Sequence, residues 1–186
     1  MVSNEIGKYD YGEDHPMKPE RISMVFDLIR NLEFLDKFWI CTAKPCSLDD
    51  LMVFHDPNYV RFMRDYDSLS TYEKKNHNFN INNHDDVPAF PNFFNFSRLV
   101  AGSSIQGANI LAQKQADTVV NWMGGLHHAK SNKASGFCYV NDCVLAIKRL
   151  LHDFQKVLYI DIDVHHGDGV EAAFLYNPWV LTLSLH

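Results

Sequence analysis

The densest run of chemically useful side chains is Tyr159-Ile160-Asp161-Ile162-Asp163-Val164-His165-His166-Gly167-Asp168-Gly169. Side chains alternate along a strand, so Asp161, Asp163 and His165 share one face while Ile160, Ile162 and Val164 take the other. Two carboxylates on a strand this apolar cost several kcal/mol to desolvate unless they are paired or bind a metal. Same-face neighbours on a regular strand are about 6.6 Å apart, whereas zinc ligands lie only about 2.0 to 2.2 Å from the ion. Asp163 and His165 therefore share one ion only if the strand ends or bends there, and Gly167 and Gly169 would permit that turn. The bland alternative is two solvated acids on an edge strand followed by a histidine pair in a loop. The apolar content of the strand reads as buried and argues against it.

A second run, Trp122-Met123-Gly124-Gly125-Leu126-His127-His128-Ala129-Lys130, also follows an apolar stretch, so it can face the first across one sheet edge. A neutral imidazole, with a reference pKa near 6.5, suits a general base beside a metal-bound water. Its other ring nitrogen has to be fixed by a carboxylate or carbonyl, and Asp161 and Asp168 are the available carboxylates. The histidine pair would serve equally as further metal ligands or as a polar turn. In Ser135-Gly136-Phe137-Cys138-Tyr139-Val140-Asn141-Asp142, Gly136 lets the backbone approach a ligand, and Phe137 either walls a narrow apolar channel or simply fills core. Asp85-Asp86-Val87-Pro88 is either an acid pair that accepts N–H groups from a bound chain or a solvated turn.

These residues need elements to position them. Pro19-Glu20 opens a helix in which Ile22, Val25, Phe26, Ile29 and Leu32 recur at helical spacing. Ser47 with Asp50 reads as a capping box, and Asp56-Pro57 as a cap with a first-turn proline. Residues 68–95 read as a long irregular segment, of the kind that tends to be functional. A helix over 96–113 follows, whose Ala101, Gly102, Ser103, Gly107 and Ala108 allow close packing. Then come a strand over 118–123, a helix over 141–152, a strand over 156–164, a helix over 169–175 and a strand over 180–185. That alternation predicts an α/β fold with a mostly parallel sheet, and sites in such sheets lie outside the carboxyl ends of the strands.

The 186 residues suit one domain, and 17 Lys plus Arg against 23 Asp plus Glu give a net charge of -6. A basic footprint for direct DNA binding is absent. The four cysteines, Cys41, Cys46, Cys138 and Cys143, form no CxxC, which fits a reducing compartment. No leader pattern and no membrane-length apolar run occur.

At His15-Pro16-Met17-Lys18-Pro19, NWMGGLHHAK, ASGFCYVND and VLYIDIDVHHGDGV the sequence closely resembles the class I, zinc-dependent histone deacetylases of the arginase/deacetylase superfamily. The similarity runs from about Tyr9 to His186. It implies a three-layer sheet with helices on both faces and hydrolysis of Nε-acetyl-lysine on histone tails. Asp163 and His165 then resemble two of three ligands to one Zn2+. His127 and His128 resemble the tandem histidines, with His128 the usual base paired to Asp168 and His127 paired to Asp161. Asp86 is similar to the acid that grips the substrate backbone, although the usual cysteine after it is Val87. Gly136 and Phe137 resemble residues of the acetyl-lysine tunnel, with Cys138 at its floor. Arg21 is similar to an arginine near an internal exit channel. Asp161, Asp163, His165, Ser184 and Leu185 resemble a structural K+ site, partly through carbonyls.

The resemblance also implies acetylated protein partners, corepressor subunits and residence in the nucleus, with the cytoplasm as a second place. Against the family, residues 1–186 correspond to the N-terminal half of the catalytic domain. The third zinc ligand, an aspartate, the tyrosine that polarises the acetyl carbonyl and the remaining strands lie beyond it. The expectation is that this chain alone has little activity. Two other readings compete: a non-catalytic interaction protein, and an arginase-like metallohydrolase, which would hold two manganese ions.

Overall fold

The computed structural model describes residues 1–3, 5–83 and 86–186. Helices α1 (Glu20–Asn31), α2 (Leu48–Met52), α3 (Pro57–Asp65), α4 (Thr71–Lys75), α5 (Phe93–Ala112) and α6 (Asp142–Leu150) precede strand β1 (Val157–Asp161), helix α7 (Asp168–Phe174) and strand β2 (Val180–Ser184). Both N-terminal caps form as their sequences dictate. Ser47 and Asp50 make a reciprocal capping box, and the Asp56 carboxylate accepts from the Asn58 and Tyr59 amides with Pro57 at the first helical position. A second capping box, Ser70 with Glu73, nucleates α4 inside the segment expected to be irregular. Among the described residues no helix is long and apolar enough to cross a membrane.

The core is built around α5. It starts at Phe93, three residues earlier than expected, because Phe93 and Phe96 both join an aromatic cluster with Tyr11, Phe90 and Tyr139. The small residues do allow close approach. An added Cβ on Gly102 would lie 2.0 Å from the Lys44 carbonyl oxygen and 2.7 Å from the Cys46 nitrogen.

The sheet is smaller than expected. β1 and β2 run parallel, with Val157 opposite Val180 and Asp161 opposite Ser184, and α7 lies in the crossover that parallel pairing requires. Residues 118–123 do not form the expected strand. Their neighbourhood spends its polar groups on other partners: the Met123 N–H goes to the Asn121 side chain, the Gly125 and Leu126 N–H groups go to Asp142, and the Val120 carbonyl accepts from the Met1 ammonium at 2.6 Å.

Coverage of the sheet also differs from expectation. Val157, Tyr159 and Val180 pack under Val144, Ile147, Val170 and Phe174 of α6 and α7. On the opposite face Leu158, Ile160, Leu181 and Leu183 are exposed, and Ile162 and Val164 beyond the strand are 82% and 79% exposed. Among the described residues, helices cover one face only. The total surface of 10777 Å² exceeds the roughly 9,000 Å² that size scaling gives for a compact chain of this mass. The bare face contributes to that excess.

His55, between α2 and α3, ties the core to the loop that follows residue 127. Its Nε2 accepts from the Asn141 N–H at 3.0 Å, so the ring proton sits on Nδ1, which donates to the Lys130 and Ser131 carbonyls at 3.1 and 3.3 Å. Burial pushes its pKa down to about 4, although the carbonyl partners pull the other way.

Two predictions follow from this packing. In Gly102→Ala the gain in helix propensity is about 1 kcal/mol, but the new methyl meets backbone that cannot swing aside, a cost of about 1–3 kcal/mol or more. Urea unfolding is expected to show a net loss on the order of 1–2 kcal/mol, and an unchanged midpoint would refute the tight contact. For His55, the unfolded chain binds a proton below pH 6.5 while the folded one refuses it until about 4. Stability should therefore fall as pH drops through that window, by on the order of 3 kcal/mol in total. The slope should flatten in His55→Gln, and an equal slope in both proteins would overturn the assignment.

Candidate active site at the strand ends

β1 ends at Asp161, and the chain bends away before α7 begins at Asp168. This is the bend that lets Asp163 and His165 come together. Gly167 serves it through space rather than conformation: its φ is -71, but a Cβ would lie 2.3 Å from Asp161 Oδ2. Asp161 is buried and collects three donors. His127 Nδ1–H and the Tyr159 hydroxyl each donate to Oδ2 at 2.6 Å, and the Asp163 N–H donates to Oδ1 at 3.0 Å. Burial pushes its pKa up, yet these donations outweigh that and hold the carboxyl below its ordinary value.

The second pairing is built differently. His128 Nδ1–H donates to Asp168 Oδ1 at 2.7 Å, and Lys130 Nζ donates to Asp168 Oδ2 at 2.5 Å. Burial again raises Asp168, and the His128 and Lys130 donations more than offset it. An ionised carboxylate only accepts, so both histidines carry a proton on Nδ1, and the neutral ring of each presents a bare Nε2. The two rings lie 4.1 Å apart, centroid to centroid.

The loop that presents them is pinned to the start of α6. Asn141 Nδ2 donates to the His127 and Ala129 carbonyls, each at 3.0 Å, while its Oδ1 caps α6 by accepting from the Val144 N–H. Asp142 accepts from the Gly125 and Leu126 amides and from the Ser104 hydroxyl. Neither role was read from the sequence, although an Asn-Asp pair at the head of an apolar helix is a capping signal.

Asp163 and His165 lie side by side at the surface. Asp163 Oδ1 accepts from the His165 N–H at 2.7 Å and lies 3.0 Å from His165 Nδ1. The His165 amide holds the Asp163 carboxyl below its ordinary value. One carboxylate and one imidazole are donors of the kind zinc takes. They fit two corners of a site; among the described residues no group of three His, Cys, Asp or Glu could hold a metal. The residues expected around potassium gather at the same strand ends. The Leu185 N–H donates to the Asp161 carbonyl at 2.9 Å, and Ser184 Oγ accepts from the Gly167 N–H at 3.2 Å.

Gly136 and Phe137 flank His128. Gly136 has φ +52, and a Cβ there would strike the His128 ring at 2.4 Å, so only glycine suits the position. Phe137 is also left-handed, φ 69, and is held by the Tyr11 hydroxyl donating to its carbonyl at 2.8 Å. Cys138 is buried, with its thiol pushed up to about 12 by burial, which makes it inert lining. Asp86 turns inward: Oδ1 accepts from the Phe137 N–H at 3.1 Å and Oδ2 from Asn80 Nδ2 at 2.9 Å. Asp85 lies outside the described residues. Arg21 lines a cavity of about 510 Å³ with Met17, Gly124, His127, Tyr159 and Asp163, behind the paired histidines.

Residues 15–186 match the histone deacetylase domain family. The chain is 47% identical over 184 residues to the probable histone deacetylase 1-A of Xenopus laevis and 46% identical over 184 residues to histone deacetylase 1 of Homo sapiens. It is 44% identical over 188 residues to the type-1 histone deacetylase 1 of Dictyostelium discoideum. Each alignment covers at least 98% of this chain, which spans 38% of the length of each relative. With both histidine–aspartate pairs set between the matching motifs, the chain belongs to the histone deacetylase domain family.

Proposed function

We propose that this chain carries the proton-handling part of a zinc-dependent protein-lysine deacetylase. The reaction is hydrolysis of the Nε-acetyl-lysine amide on histone tails, with transcriptional repression as its outcome. The observation that carries the reading is the pair of short histidine–aspartate hydrogen bonds, 2.6 Å for His127–Asp161 and 2.7 Å for His128–Asp168. Each leaves a bare Nε2 pointing away from its carboxylate.

Zinc, when bound, polarises a carbonyl and lowers the pKa of a water, and Asp163 and His165 would hold it. His128 Nε2 takes the proton of the attacking water, and Asp168 stabilises the ring that has gained it. His128 passes that proton on to the leaving amine, and His127, backed by Asp161, assists the transfer. Gly136 and Phe137 line the passage for the lysine stem. The wider reading includes a structural K+ at Asp161, Asp163, His165, Ser184 and Leu185, and a sheet that in the complete domain has helices on both faces. It also includes corepressor partners and a nuclear address. The net charge of -6 suits a basic histone tail better than DNA.

By itself this chain should turn over slowly or not at all, because the described residues bring only two metal donors together. The bare apolar sheet face favours a second reading, an interaction protein that retains partner surfaces without catalysis.

Two measurements test this. The 186-residue chain, purified and incubated with an acetyl-lysine peptide, is expected to release no acetate with or without added zinc. Zinc-dependent turnover would overturn its inertness. A chimera in which this chain replaces the aligned part of the Xenopus relative should deacetylate the peptide, and His128→Ala within it should lower the rate about 100- to 10,000-fold. A chimera indifferent to that substitution would remove His128 from the base role.

A further inference from the structure

The two histidine–aspartate pairs differ in what holds the carboxylate. Asp161 is buried and has three donors from its own neighbourhood, so His127 is one support among several. Asp168 is the first residue of α7 and is partly exposed, and its side chain has two donors among the described residues: His128 on Oδ1 and Lys130 on Oδ2. Without Lys130 the carboxylate is free to turn about its own bonds, and His128 has no fixed partner for Nδ1–H.

Lys130 is mounted to prevent this. Its backbone is held on both sides, the N–H donating to the Lys133 carbonyl at 2.9 Å and the carbonyl accepting from His55 Nδ1 at 3.1 Å. From that fixed root its ammonium reaches Asp168 Oδ2, and its side chain is only 26% exposed. A point charge on one oxygen leaves the other aimed at His128 and keeps the carboxylate an acceptor only.

We propose that Lys130 is a positioning residue: through Asp168 it holds His128 in the Nδ1–H tautomer with Nε2 bare, while His127 is held in the same form independently of it. This rests on the reading of His128 as the proton acceptor, but its test does not use turnover.

The test is ¹⁵N NMR of the histidine side chains in the 186-residue chain at a fixed alkaline pH where the rings are neutral, with His128 assigned from His128→Gln. In the wild type, His127 and His128 should each show one protonated and one bare ring nitrogen, widely separated. In Lys130→Met the two His128 resonances should converge as the tautomers mix, while those of His127 stay apart. Lys130→Arg should restore the separation, because a guanidinium also grips a carboxylate. Unchanged His128 resonances in Lys130→Met would overturn the proposal. So would equal convergence at both histidines, which would mark a general loosening. If Lys130→Met does not fold, Lys130→Gln carries the same expectations. A deacetylase assay of the chimera that fails while His128 responds to Lys130 would discard the function and leave the positioning role standing.

Discussion

Asp142 is a carboxylate buried at the first turn of α6 with no ion pair among the described residues, and the geometry of the site hangs on how that burial is offset. Leaving such a group unpaired costs several kcal/mol. It accepts from two backbone amides and a hydroxyl, and hydrogen bonds to a charged group contribute about 1.5–3 kcal/mol each. Its place at a helix N-terminus adds roughly 0.3–1 kcal/mol more. Burial still pushes its pKa up. The consequence is local rigidity: the amides of Gly125 and Leu126 cannot leave Asp142 without stranding it, and His127 follows directly. Asn141 completes the clamp by taking the carbonyls on either side of His128. Two adjacent side chains thus fix a loop that has no ladder of its own.

That arrangement explains which parts of the molecule were legible from sequence. Patterns that depend on nearest neighbours could be read: the Ser47 and Asp56 caps, the alternation along Val157 to Asp161, and the bend needed to unite Asp163 with His165; the strand expected to run on to Val164 stops three residues short. The Ser70–Glu73 box is equally local, but it sits in a polar, asparagine-rich stretch whose composition favours loop. The strand expected at 118–123 failed for a different reason. An apolar run specifies extended chain, but a strand also needs a neighbouring ladder, and the described pairing is between β1 and β2. Clamps such as Asp142 to Gly125, or Tyr11 to Phe137, join residues far apart in sequence and leave no periodic trace.

The same limit applies to the sheet. The apolar content of β1 predicts a buried strand, and the family resemblance predicts helices on both of its faces. Burial is a property of what lies opposite. Val157 and Tyr159 meet α6 and α7, while Leu158 and Ile160 are more than half exposed. Of the site acids only Asp161 belongs to the strand, where it is buried; past the strand end Asp163 is half exposed and His165 largely so.

Asp86 turns inward, and this changes how recognition at the tunnel mouth would be accounted for. Its two oxygens are already engaged by the Phe137 amide and by Asn80. A carboxylate offers about four lone-pair sites, so these two bonds leave it room for a further donor. The Phe137 amide that it holds belongs to a residue in a left-handed conformation. Asp86 is thus a brace, fixing the backbone at an unfavourable turn without exhausting its own capacity to accept.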